Sequence, residues 1–503
     1  MIINYFRICL ITILFVMISI VTSAWAQHRG DNLAFQGLSF QEGNGIKAMA
    51  MGGSYTSISG DVNTLFYNPA GLVGIEALEV SIEFNSNNKM WRENQVYRPN
   101  RQFVNVGFIL DGLYVPKPEY NGMYDHEVFL EDTTLGVEEP LLAEDYYSAK
   151  AADWQRSKND FDLNNIAIAY PFNLVNRPFV ISGAYSKKYQ VWDYDRNHTH
   201  LFPHPGYTPY EGLFERIVDP VDSTRMYWSD YERERTGKIW NMTVGLATRL
   251  YKSVQLGLSM GSFSGETNDA QGLSRVGYFD LVEANTFRFS YDTLATFISG
   301  TSEFSATTFK IGLLFESERI NIGFNVNPGY TLKRDWSYAT VNSTANTSNE
   351  VTTSGQDQFK IPASYAAGLS IKPVETLSIA VDMRNTNYSN AKFDFAQGDS
   401  THRGWVNQTI WSFGLDYRPW DWLSLMAGYR YLPQVFVPDG AAIKDRGPVA
   451  DSYNFGFSLE VFYGRLNVGY EIRRLKYYDS YLSNTNYVLE TLDRFLVGYT
   501  FSL

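Results

Sequence analysis

The side chains best suited to chemistry lie far apart in this chain. His198, His200 and His204 fall within NHTHLFPHPGY, close enough to share a transition metal or to reach a haem iron, since neutral imidazole is the commonest transition-metal ligand. No second ligating cluster accompanies them, so neither a metal nor a cofactor is expected. Arg384, Arg430 and Arg473 each occupy a polar position in an alternating segment, and a guanidinium fork suits a carboxylate. Residues 119–145 carry many acids and no Lys or Arg, which reads as a hydrated loop rather than a cation site. The sequence has no H-E-x-x-H and no phosphate loop, so no enzyme is expected. Gly43, Gly45 and Ala48 fit G-x-G-x-x-A, but no strand precedes them and no βαβ unit follows, which removes a dinucleotide site.

The elements that must position these residues are strands. Leu78, Val80, Ile82 and Phe84 alternate with Glu79, Ser81 and Glu83; Ile320, Ile322, Phe324 and Val326 alternate with Asn321, Gly323, Asn325 and Asn327. A period of two with one apolar and one polar face recurs to the last residues, where Phe495, Val497, Tyr499, Phe501 and Leu503 share a face. Connections alternate between short ones, such as 173–177, 316–319 and 463–464, and long ones, such as 87–160, 192–235 and 266–303. Short turns on one side and long loops on the other are the pattern of an outer-membrane barrel. The count is fourteen strands, with sixteen as the alternative if 101–115 forms another hairpin across Asp111-Gly112.

Composition agrees with this reading. Arg7 followed by the apolar run Ile8 to Val21 and by Ala24-Trp25-Ala26 reads as a secretory leader, cut before Gln27. Cys9, the one cysteine, leaves with it. No later apolar run reaches the 18 or so residues of a membrane helix, yet aromatic residues make up 16% of the chain, as aromatic girdles require. A formal net charge of -12 argues against nucleic acid as a partner.

The turn-rich stretch AMAMGGSYTSISGDVNTLFYNPAGL, from Ala48 to Leu72, stands apart from the alternating wall. Its Met51-Gly52-Gly53 and Asn68-Pro69-Ala70 resemble the N-terminal plug of the FadL-type family, outer-membrane channels for long-chain fatty acids and other hydrophobic molecules. The resemblance implies a leader over 1–26, a plug or hatch over 27–75 and an all-β transmembrane antiparallel barrel over 76–503. It places Gly52, Gly53, Asn68, Pro69 and Ala70 in the gate, and a sideways exit in the third strand, here Phe179 to Val191. It also implies passive uptake across the outer membrane of a Gram-negative bacterium, with outer-membrane lipid and the barrel-assembly machinery as partners. A rival reading is a plugged barrel that docks or secretes a partner; a haem receptor is a third.

If apolar residues face lipid, the lumen receives Glu79, Glu83, Lys188, Lys310, Asp382, Arg384, Asp416, Arg430, Glu460, Glu471 and Arg473, either as paired struts or as counter-ions for a ligand. It also receives ten glycines, among them Gly257, Gly312, Gly323 and Gly428, which leave room for a plug or ease curvature. Phe202, Tyr207 and Tyr210, with other aromatics of the same loop, form a candidate capture site for an apolar ligand.

Overall fold

The computed structural model describes residues 44–97, 128–129, 145–204, 225–283, 286–291, 294–396, 405–438, 445–480 and 484–502. Fourteen antiparallel strands form a closed barrel. The first six are β1 Glu79–Tyr97, β2 Trp154–Leu174, β3 Arg177–His204, β4 Arg225–Tyr251, β5 Val254–Glu283 and β6 Ala295–Glu316. Three interrupted strands follow: β7 as Ile320–Asn327 and Tyr330–Ser343, β8 as Ser348–Ile361 and Ser364–Val374, and β9 as Leu377–Thr386 and Lys392–Asp394. The wall is completed by β10 Gln408–Trp420, β11 Leu423–Pro433, β12 Val449–Val461, β13 Gly464–Ser480 and β14 Asn484–Ser502, and β14 pairs with β1 from Glu79↔Ser502 to Tyr97↔Asn484. The hairpin that would raise the count to sixteen lies outside the described residues, as do the leader and the boundaries at 26 and 27.

The outer face follows the alternation. Phe309, Ile311, Leu313 and Phe315 on β6 are exposed, as are Ile322 and Phe324 on β7, whereas Asn321 and Asn325 are buried. An apolar outer band with a polar interior is how a barrel satisfies its backbone within lipid while offering lipid only apolar side chains. Near the short turns, Trp420 and Trp422 stack at 5.3 Å and remain half exposed, suited to the membrane interface.

At the long-loop end the structure departs from expectation. The strands run on through much of what reads as loop: β4 begins at Arg225, β5 reaches Glu283 and β6 begins at Ala295. Beyond lipid both faces of a strand meet polar surroundings, so the apolar alternation fades while backbone pairing continues. Buried ion pairs brace this extension. Arg235 donates to Asp269 at 2.7 and 2.9 Å, and Ser302 and Tyr338 donate to the same carboxylate; Arg334 meets Asp357 at 2.5 Å.

Residues 44–74 lie inside the barrel. They include two short helices, α1 Ile46–Ala50 and α2 Thr64–Tyr67, and a 3-10 turn, Pro69–Gly74. A Cβ added to Gly257 would strike Pro69, one at Gly312 Asn68, one at Gly323 Thr56, one at Gly414 Met51, one at Gly428 Gly52 and one at Gly469 Met49. The row of inward glycines is therefore space already taken by this inner segment. Curvature alone would not put its atoms there.

Candidate functional site: a cationic cavity inside the barrel

The wall grips the inner segment by its backbone. Asp382 accepts from the amides of Tyr55 and Thr56 at 2.8 and 2.7 Å, Glu83 from Ile46 at 3.0 Å, and Glu79 from Val62 at 3.1 Å. Carbonyls are held in turn: Arg430 Nε donates to Gly52 O at 2.9 Å, Lys310 to Phe66 O and Asn325 to Tyr67 O. Buried carboxylates and cations are costly unless such partners are supplied.

The turn residues singled out in the sequence sit within this grip. Gly52 and Gly53 adopt φ of 66° and 83°, left-handed values that a side chain would strain. Asn68 accepts from the Ala70 amide at 3.1 Å and donates to Thr56 O at 2.7 Å and to Leu313 O of β6 at 3.0 Å. Pro69 opens the 3-10 turn, where no amide hydrogen is needed.

Between the inner segment and the long-loop end lies a cavity of about 110 Å³. Leu65, Phe66 and Tyr67 line its short-turn side, and Lys188, Lys310, Arg384 and Arg430 bring positive charge to it, with Asp382 the one acidic lining residue among the described residues. Toward the long loops it meets an apolar layer of Tyr189, Phe263, Phe304, Leu332, Phe359 and neighbouring side chains, with Phe263 shared by both. Lys188 points over the rings of Tyr189 and Phe263, 5.9 and 5.7 Å from their centroids. It sits at a bulge, where the β3–β4 register shifts between Lys187 and Tyr189. The bulge lets adjacent lysines do different work: Lys187 meets Asp162 at 2.7 Å while Lys188 lines the cavity.

The three sequence-marked arginines separate here. Arg384 and Arg430 line the cavity, but Arg473 instead pairs with Glu471 at 2.9 Å, and Arg494 meets that same carboxylate at 3.3 Å. The β3 backbone carries His198, His200, Phe202 and His204, whose side chains are outside the described structure; Tyr207 and Tyr210 lie outside it entirely. Among the described residues no group of His, Cys, Asp and Glu is placed to hold a metal. Sequence reading gave no sign of the Tyr67 ring in the cavity wall or of the Arg235–Asp269 brace, because neither has a local motif.

The wall itself is uneven at this level. Strands β2 and β3 pair from Leu174↔Arg177 up to Asn165↔Ser186 and share no ladder pairs beyond, although β2 stays paired with β1 and β3 with β4. Side chains bridge the split: Trp154 Nε1 donates to Arg196 O at 2.8 Å, Lys89 Nζ to Trp192 O at 3.1 Å, and the Arg156 guanidinium lies 4.2 Å from the Tyr194 ring centroid.

This architecture, a fourteen-strand membrane barrel with an occupied lumen, is FadL-like. No family model and no curated protein matches the sequence. Solved structures do match: a Pseudomonas aeruginosa FadL homologue, at TM-score 0.58 and 13% identity over 91% of this chain and 97% of that one. The Pseudomonas putida toluene transporter TodX matches at 0.54 and 12% over 92% and 99%. The Ralstonia pickettii toluene transporter TbuX matches at 0.51 and 12%, also over 92% and 99%. The chain has the fold of these channels along nearly its whole length.

Proposed function

We propose that the protein is a passive uptake channel in the outer membrane of a Gram-negative bacterium, admitting long-chain fatty acids or other hydrophobic molecules. The observation that carries this reading is the cavity, with an ionic floor at Lys188, Lys310, Arg384 and Arg430 beneath an apolar roof at Tyr189 and Phe263. An amphiphile needs both surfaces, a headgroup partner and a place for its chain. Residues 27–75 act as the plug, and Gly52, Gly53, Asn68, Pro69 and Ala70 supply the turns that hold it shut. The route out runs through the β2–β3 split, which begins near Phe84 and Phe161 at the outer edge of the apolar band. In this location an acyl chain passes into lipid without crossing the polar lumen below.

Uptake of a labelled long-chain fatty acid by cells lacking their own transporter tests the reading. Expression of this chain should restore it, and expression of a variant carrying Arg384→Gln with Arg430→Gln should restore much less. A docking barrel would restore neither, and that outcome would refute the channel reading.

A further inference from the structure

The cavity holds more positive charge and more hydrogen donors than a single carboxylate can use. Four of its lining residues are cationic and one is acidic. That acid, Asp382, already spends one oxygen on the Tyr55 and Thr56 amides. Lys310 and Arg430 each give one donor to the inner segment. The side chains of Lys188 and Arg384 make no hydrogen bond or ion pair to any described residue. The hydroxyl of Tyr67, a residue only 5% exposed, likewise has no partner. An ammonium offers three donors and a guanidinium five, so Lys188, Arg384 and the Tyr67 hydroxyl alone bring about nine N–H and O–H groups with no acceptor among the described residues.

From this imbalance we propose that the cavity is a binding site for a phosphate monoester carried on an apolar chain. The inference rests on the channel reading and refines which headgroup the channel prefers. A carboxylate brings one charge and two oxygens. A phosphate monoester brings a charge near -2 at neutral pH and three terminal oxygens, which suits the charge excess and uses donors on both sides of the cavity. Lys188 and Arg384 approach from β3 and β9, Lys310 and Arg430 from β6 and β11, and Tyr67 from the inner segment. The apolar layer at Tyr189 and Phe263 gives the chain its place toward the long loops.

Calorimetric titration of the full-length barrel in a neutral maltoside detergent tests this, with decyl phosphate, decanoate, decanesulfonate and inorganic phosphate as probes. At pH 8 decyl phosphate should bind about tenfold more tightly than decanoate, as expected for a doubly charged acceptor. Between pH 8 and pH 5 its affinity relative to the sulfonate should fall about tenfold as the phosphate gains a proton near pH 6, because the sulfonate does not titrate there and reports any change in the site's own charge. Tyr67→Phe should weaken decyl phosphate about threefold or more, the effect of one lost donor, with heat-modifiable gel migration showing that the variant is folded. Decanoate binding as well as decyl phosphate at pH 8 would overturn the proposal and leave the channel reading intact, as would a shared pH dependence of phosphate and sulfonate. Inorganic phosphate binding as tightly as decyl phosphate would overturn the role given to the chain. Failure of every chain-bearing probe to bind would sink this proposal and the channel reading together.

Discussion

The short-turn half and the long-loop half of this barrel are made of the same strands yet held by different forces. Below the cavity, the outer face is apolar, and the lumen is filled by the backbone of residues 44–74 pressed against glycines. Above it, the strands leave the apolar band and are tied to their neighbours by side chains, with the cross-strand pairs Arg235–Asp269 and Arg334–Asp357 buried. The contrast shows that pairing does not require a lipid-facing pattern, only satisfied backbone and a filled interior. It also shows that the two ends respond to different substitutions.

Removing an ion-pair partner in the upper half should have the largest effect. Asp269→Ala takes the carboxylate from buried Arg235 and removes the acceptor of Ser302 and Tyr338, with an expected loss of about 3 to 5 kcal/mol, read as a lower urea midpoint of the purified barrel. On the lipid face, Ile322→Arg should cost about 2 to 4 kcal/mol. Thr352→Arg, equally outward but on the extension of β8, should stay within about 0.5 kcal/mol. Equal losses for the two arginines would erase the boundary drawn between the halves.

The same contrast explains what was legible in the sequence. Turns and lipid-embedded strands could be read almost to the residue, as at 254, 320 and 423, because burial on one face imposes a period of two. The upper ends of β3, β4 and β5 could not, since their side chains answer to partners such as Asp269 that lie distant in sequence. Arg384 and Arg430 were visible as inward charges. That they share a cavity with Lys188 depends on a bulge, and that Arg473 does not depends on Glu471, both of which only the assembled wall reveals.

Smaller effects should come from the inner segment. Gly312→Ala places a methyl group where Asn68 stands, so an overpacking cost of about 1 to 3 kcal/mol is expected, appearing as a leak to hydrophilic antibiotics rather than as failed assembly. Asn68→Ala loses the bonds to Thr56 O, Leu313 O and the Ala70 amide. It should cost about 1 to 2 kcal/mol, with raised conductance and a normally assembled barrel.

Locating a bound chain tests the central claim most directly. In crystals grown with a long-chain fatty acid brominated at its methyl end, the account predicts carboxylate density beside Lys310, Arg384 and Arg430. It predicts a bromine anomalous peak on the Tyr189 and Phe263 side of the cavity. A peak found only on the outer apolar face, with the cavity empty, would contradict it.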